Sequence, residues 1–189
     1  MKYLAQHSAL AAGLLLSLTM FTMGQEETKQ TAAPSAQLVL SGKIKVNGKA
    51  VSPGFAIATG DQITTEAKSS AVVSLGKLGR VEVWPGSDMK VTFDDTSLNV
   101  DLDAGAVRVS KAEGKTASVA TQDGAVLANT LLAGSFTVDM DCGNTIVTSN
   151  TIAVDLRSAS DGATTVKPGN HSSLGKPRAG CRPRPIRLR

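Results

Sequence analysis

The chain has 189 residues, 41% of them hydrophobic but only 3% aromatic, with two cysteines and a formal net charge of +4. That length supplies one ordinary core rather than several domains, and so few rings work against stacking surfaces for nucleic-acid bases or sugars. The positive charge is local: Gln25 to Gly175 holds 13 Lys and Arg against 16 Asp and Glu, whereas Lys176 to Arg189 carries six basic residues and no acid.

The first element follows Lys2: an uncharged run "ALAAGLLLSLTMFTM" over Ala9–Met23, then Gly24 and the polar "QEETKQ". A charged start, a short apolar run and small residues at Thr22 and Gly24 have the form of an export signal over 1–24, and the run is shorter than the roughly 20 residues that span a bilayer. The expected location is therefore periplasmic or secreted, with no transmembrane span after signal removal; an uncleaved N-terminal anchor is the alternative. Residues 25–36, "QEETKQTAAPSA", lack any apolar period and read as a linker.

From Gln37 the apolar period is two. Val91 and Phe93, then Leu98, Val100 and Leu102, then Phe136, Val138 and Met140, then Ile152, Val154 and Leu156 each line one side of an extended segment. Between these runs lie turns at Asn47-Gly48, Gly60-Asp61, Pro85-Gly86, Gly105, Gly124, Gly143 and Gly162, where glycine and Asn-Gly steps supply the positive φ angles of tight hairpins. The pattern predicts an all-β fold of short antiparallel strands over 37–168, with a solenoid-like stack and a twisted sandwich both open. Phe55, Phe93 and Phe136 read as core, and Trp84, before a turn, as a core edge or else a lone exposed anchor.

Within "GFAIATGDQITTEAKSSAVVSL" (Gly54–Leu75), Gly60 takes a conformation closed to residues with a Cβ, and Asp61 is expected to accept hydrogen bonds from the amides that follow it. Ser69 and Ser70 read as turn residues before the next strand. The order of elements in "GKIKVNGKAVSPGFAIATGDQITTEAKSSAVVSLGKLGRVEVWPGSDMKV" (Gly42–Val91), with Gly60, Asp61, Ile63, Thr65 and Ser70 as the most specific positions, resembles the FecR-type domain of bacterial envelope proteins. The resemblance runs more loosely through "LDAGAVRVS" (Leu102–Ser110) to Pro168. It implies a β-rich periplasmic sensor segment that contacts another envelope protein. In that family the segment is joined to a cytoplasmic anti-sigma part; only eight residues precede the apolar run here, so the expectation is a stand-alone exported domain.

Residues 169–189 form a basic Pro/Arg-rich tail, expected to lack structure unless Cys181 pins it. In an oxidising compartment Cys142 and Cys181 most simply pair, but spacing leaves a disulfide and two unlinked thiols both open. Lys176, Arg178, Arg182, Arg184, Arg187 and Arg189 are candidate anion-binding residues in an extended chain. Their candidate partners are anionic envelope lipid or polymer, with nucleic acid not expected.

No arrangement for catalysis stands out. His171, the sole histidine after the signal, lies in the tail, and Asp94 with Asp95, Asp101 with Asp103 and Asp139 with Asp141 lack the third acid and closing glutamate of a calcium loop. No catalytic residue, cofactor or metal is expected. The sequence reads as a non-catalytic binding or sensory module that contacts an envelope protein through its β surface, or else as an adhesive element tethered by its tail; oligomeric state is not readable.

Overall fold

The computed structural model describes residues 36–158 and 162–181; the expected signal, the linker up to Ser35, and Arg182, Arg184, Arg187 and Arg189 lie outside them. In chain order the strands are β1 (Ala36–Ser41), β2 (Ile44–Val46), β3 (Lys49–Ala50), β4 (Ala56–Ile57), β5 (Gln62–Thr65), β6 (Ser70–Ser74), β7 (Gly79–Val83) and β8 (Asp88–Phe93). There follow β9 (Ser97–Lys111), β10 (Thr116–Thr121), β11 (Gly124–Ala128), β12 (Gly134–Asp141), β13 (Asn144–Ser149), β14 (Val154–Ser158), β15 (Gly162–Val166) and β16 (His171–Gly175). One 3₁₀ turn, Gly76–Leu78, joins β6 to β7. The all-β expectation holds, and the described residues contain no α-helix.

The strands form two sheets that share β9. One runs β4-β1-β6-β7-β9-β12-β13-β16, the other β3-β2-β5-β8-β9-β10-β11-β14-β15. Single strands and hairpin pairs alternate between the sheets along the chain, and the inward residues of both, among them Leu38, Val81, Phe136, Ile63, Val100 and Leu156, belong to one buried cluster. The architecture is therefore a two-sheet sandwich whose chain rolls from layer to layer. It is not closed into a barrel.

Strand β9 departs from the expected short strands. A straight strand of 15 residues would run roughly 45 Å at about 3.3 Å per residue. Yet Thr116 pairs with Ser97, the first residue of β9, after a connection of only Ala112–Lys115, which reaches about 17 Å at most. The strand must fold back at its middle, and it does so at Gly105, whose φ of +82° suits glycine. A Cβ there would stand 2.3 Å from Ser87 Oγ. A register shift opposite Asp88 and Met89 leaves one extra residue in β9, so burial passes from even positions (Leu98, Val100, Leu102) to odd ones (Val107, Val109). The bulge thus lets one strand face the core from both sheets. The same fold-back makes β9 and β10 parallel while the remaining pairs among the described strands are antiparallel, a departure from the antiparallel expectation.

The predicted turns are structural. Asn47 and Gly48, at φ +50° and +77°, make the two-residue hairpin between β2 and β3. Asp61 differs from expectation: its carboxylate reaches back to the Ala58 amide (2.8 Å) and accepts from Asn47 Nδ2 (2.8 Å), because the turn closes from Asp61 N to Ala58 O. Ser69 acts at long range, its Oγ accepting from Lys43 N at 2.8 Å. Phe55, read as core, is exposed, since it precedes β4 at the rim of the first sheet.

Candidate functional site

Each sheet has two ends, and the two sides of the sandwich are finished differently. On the N-terminal side the edge strands are β3 and β4, two residues each; such short edges offer little to pair with. On the C-terminal side they are β15 and β16, five residues each. β15 reads "GATTV", without charge or proline, and Gly162 through Thr165 are exposed while Val166 is buried. Among the described residues nothing pairs with the outer side of β15.

The two C-terminal edge strands are joined by Lys167-Pro168-Gly169-Asn170. Proline precedes glycine at φ +81° and Asn170 N donates to Lys167 O at 3.1 Å, the features of a type II turn. Further bonds from Gly169 N to Ser149 O (2.8 Å) and from Ser149 N to Asn170 O (2.9 Å) fasten this turn to the end of β13. The turn and the adjoining ends of β15 and β16 border an open cleft of about 370 Å3, lined by Thr164, Thr165, Lys167, Asn170, His171 and Ser172 with Val166 alongside. His171, which the sequence places in the tail, thus stands on a strand opposite Thr148.

The sheet continues into the expected tail because β16 pairs along β13 from Thr148 to Asn144 and buries Leu174. Cys142 and Cys181 then form a disulfide with Cα atoms 5.6 Å apart. Arg178 N donates to Cys142 O at 2.8 Å, so the chain from Lys176 is bound over the hairpin between β12 and β13. Arg178 is also close-packed against Gly143. Lys176 and Arg178 are the candidate anion-binding residues within the described part, and both are exposed.

A second exposed feature escaped sequence reading. Leu131 and Leu132 are 77% and 67% exposed on the loop between β11 and β12. Lys111, only 3% exposed, holds that loop by donating its ammonium to Thr130 O (2.7 Å), Leu132 O (2.6 Å) and Ala112 O (3.4 Å). Burial pushes its pKa below the ordinary lysine value. Nothing in the period-two pattern marks Lys111 as an inward residue of a re-phased strand.

Of the acidic pairs, Asp94 has a local role. Asp94 accepts from Thr96 N, Thr96 Oγ1, Ser97 N and Ser97 Oγ, all within 2.9 Å; the Ser97 hydroxyl foremost, with the other three donors, holds its carboxyl well below the usual carboxylate range. Asp101 and Asp103 are exposed on β9. Among the described residues no three His, Cys, Asp or Glu side chains gather as a metal site, and no helix is long and apolar enough to cross a membrane.

Among solved structures, the chain is similar to a candidate anti-sigma factor from Parabacteroides distasonis, with 19% sequence identity and a TM-score of 0.51 over 64% of this chain and 56% of that one. The chain thus matches little more than half the length of that protein, and the likeness is one of fold. No family model matches the sequence, and neither does any curated protein.

Proposed function

We propose that this protein is a non-catalytic, FecR-like binding or sensory module, exported to the cell envelope, which recognises a protein partner by taking an extended segment of it along β15. The observation that carries this reading is the contrast between edges. Proteins commonly guard sheet edges with short strands, charge or proline; β3 and β4 are cut to two residues, whereas β15 offers five uncharged ones. An extended segment added to such an edge gains main-chain hydrogen bonds, and alternate side chains read its sequence. The similar structure from Parabacteroides distasonis is that of a candidate anti-sigma factor, which supports a regulatory rather than a chemical role.

The test uses a charge placed on the inward side of the edge. Thr164 pairs with the buried Leu156 and shares its face with Val166, so a lysine there is tolerated while the edge is open and becomes buried when a strand docks. With a photo-cross-linking residue at Ala163, irradiation in cells should yield an adduct that survives washing in molar salt. Thr164→Lys should cut its yield at least tenfold while the urea unfolding midpoint stays put. An adduct indifferent to Thr164→Lys would refute docking at this edge.

A further inference from the structure

We propose that the cleft between β15 and β16 is a carboxylate-binding site that receives an acidic side chain of the docked partner segment. The identity of the occupant rests on the edge reading above; the preference for a carboxylate does not.

The cleft is lined by donors. Lys167 brings an ammonium, His171 an imidazole, Asn170 an amide and Thr164, Thr165 and Ser172 hydroxyls, and no carboxylate lines it. One carboxylate lies next to this lining: Asp155 accepts from Thr165 Oγ1 at 2.7 Å, so that hydroxyl is already spent and the donors open to a ligand are Lys167, Asn170, His171, Thr164 and Ser172. Arg157 is exposed on the neighbouring strand β14. Lysine is a compact point charge on a flexible stem, but here its backbone is fixed, because the turn from Lys167 to Asn170 is bonded both internally and to Ser149. The cleft, about 370 Å3 and open to solvent, exceeds what one glutamate side chain fills. It lies beside the edge along which a strand would run, so one side chain of that strand can enter while its main chain pairs with β15.

An open, hydrated ion pair gives modest affinity that salt screens, which sets the experiment. Full-length protein labelled with ¹⁵N is titrated at low salt with N-acetyl-glutamate N-methylamide and, separately, with its glutamine analogue. The glutamate probe should shift the amide signals of Thr164, Asn170 and His171 with a dissociation constant in the millimolar range, at least fivefold tighter than the glutamine probe. Lys167→Gln should erase that preference without moving the unfolding midpoint. Equal response to the two probes, shifts confined to other residues, or a preference untouched by Lys167→Gln would overturn the assignment. Because no strand has to dock in this titration, its failure is separable from a failure of the edge reading.

Discussion

Two hydroxyls hold the corner where β9 changes sheet. Thr65 Oγ1 donates to Trp84 O (2.6 Å) and accepts from Ser87 N (2.9 Å), while Ser87 Oγ donates to Ala106 O (3.1 Å) and accepts from Ala106 N (2.9 Å). Both side chains are buried, so Thr65→Val, which keeps the shape and deletes the hydroxyl, leaves polar groups unpaired and should cost about 1–3 kcal/mol in urea unfolding. Gly105→Ala adds positive-φ strain and a clash with Ser87 and should cost about 2–5 kcal/mol. Asp94 makes a prediction in pH. Folding lowers its pKa, so the unfolded chain takes up the proton first on acidification. The carboxylate's stabilisation is therefore complete above the ordinary value of 3.8 and is lost as the pH falls below it toward the folded value. The difference in unfolding free energy between wild type and Asp94→Ala should stay level from about pH 7 to about pH 5 and shrink below about pH 4.

Among the elements, β9 best separates what sequence reveals from what it hides. Alternation marks Leu98, Val100 and Leu102 as inward, and Gly105 announces a break. The switch of phase is hidden, since a bulge shows only in the pairing with β8. Lys111, at the end of the re-phased stretch, is accordingly buried. Lys111→Met would leave the carbonyls of Thr130 and Leu132 without their ammonium, and the Gly114 amide, bonded to Leu131 O, should exchange its hydrogen at least tenfold faster. β16 was hidden for another reason: "HSSLG" contains one large apolar residue, and its place comes from pairing with β13. The disulfide at sequence separation 39 secures the chain just beyond it. Replacing both cysteines by alanine should lower stability by on the order of 4 kcal/mol on a loop-entropy basis, read from urea unfolding without reductant.

For the molecule as a whole, the all-β class and most turn residues were legible, because period two and positive-φ glycines are local signals. The site was not. Which strand ends a sheet depends on partners far away in sequence, and "GATTV" carries nothing that distinguishes an edge from an interior strand. The Pro168-Gly169 turn brings Lys167, Asn170 and His171 together locally, but only the assembled order, with β15 last in its sheet and β16 last in the other, sets them beside an open row of backbone groups. Docking of a partner along this edge as a strand is tested most directly by photo-cross-linking in cells from Ala163 and Thr165 on β15, and from Ala50 on β3 and Ala56 on β4, with the attachment points mapped by mass spectrometry. Such docking predicts adducts from Ala163 and Thr165 at positions two residues apart in one segment of one partner, the spacing of paired strands. Adducts to that partner from Ala50 or Ala56 instead, or attachment points with no common register, would contradict it.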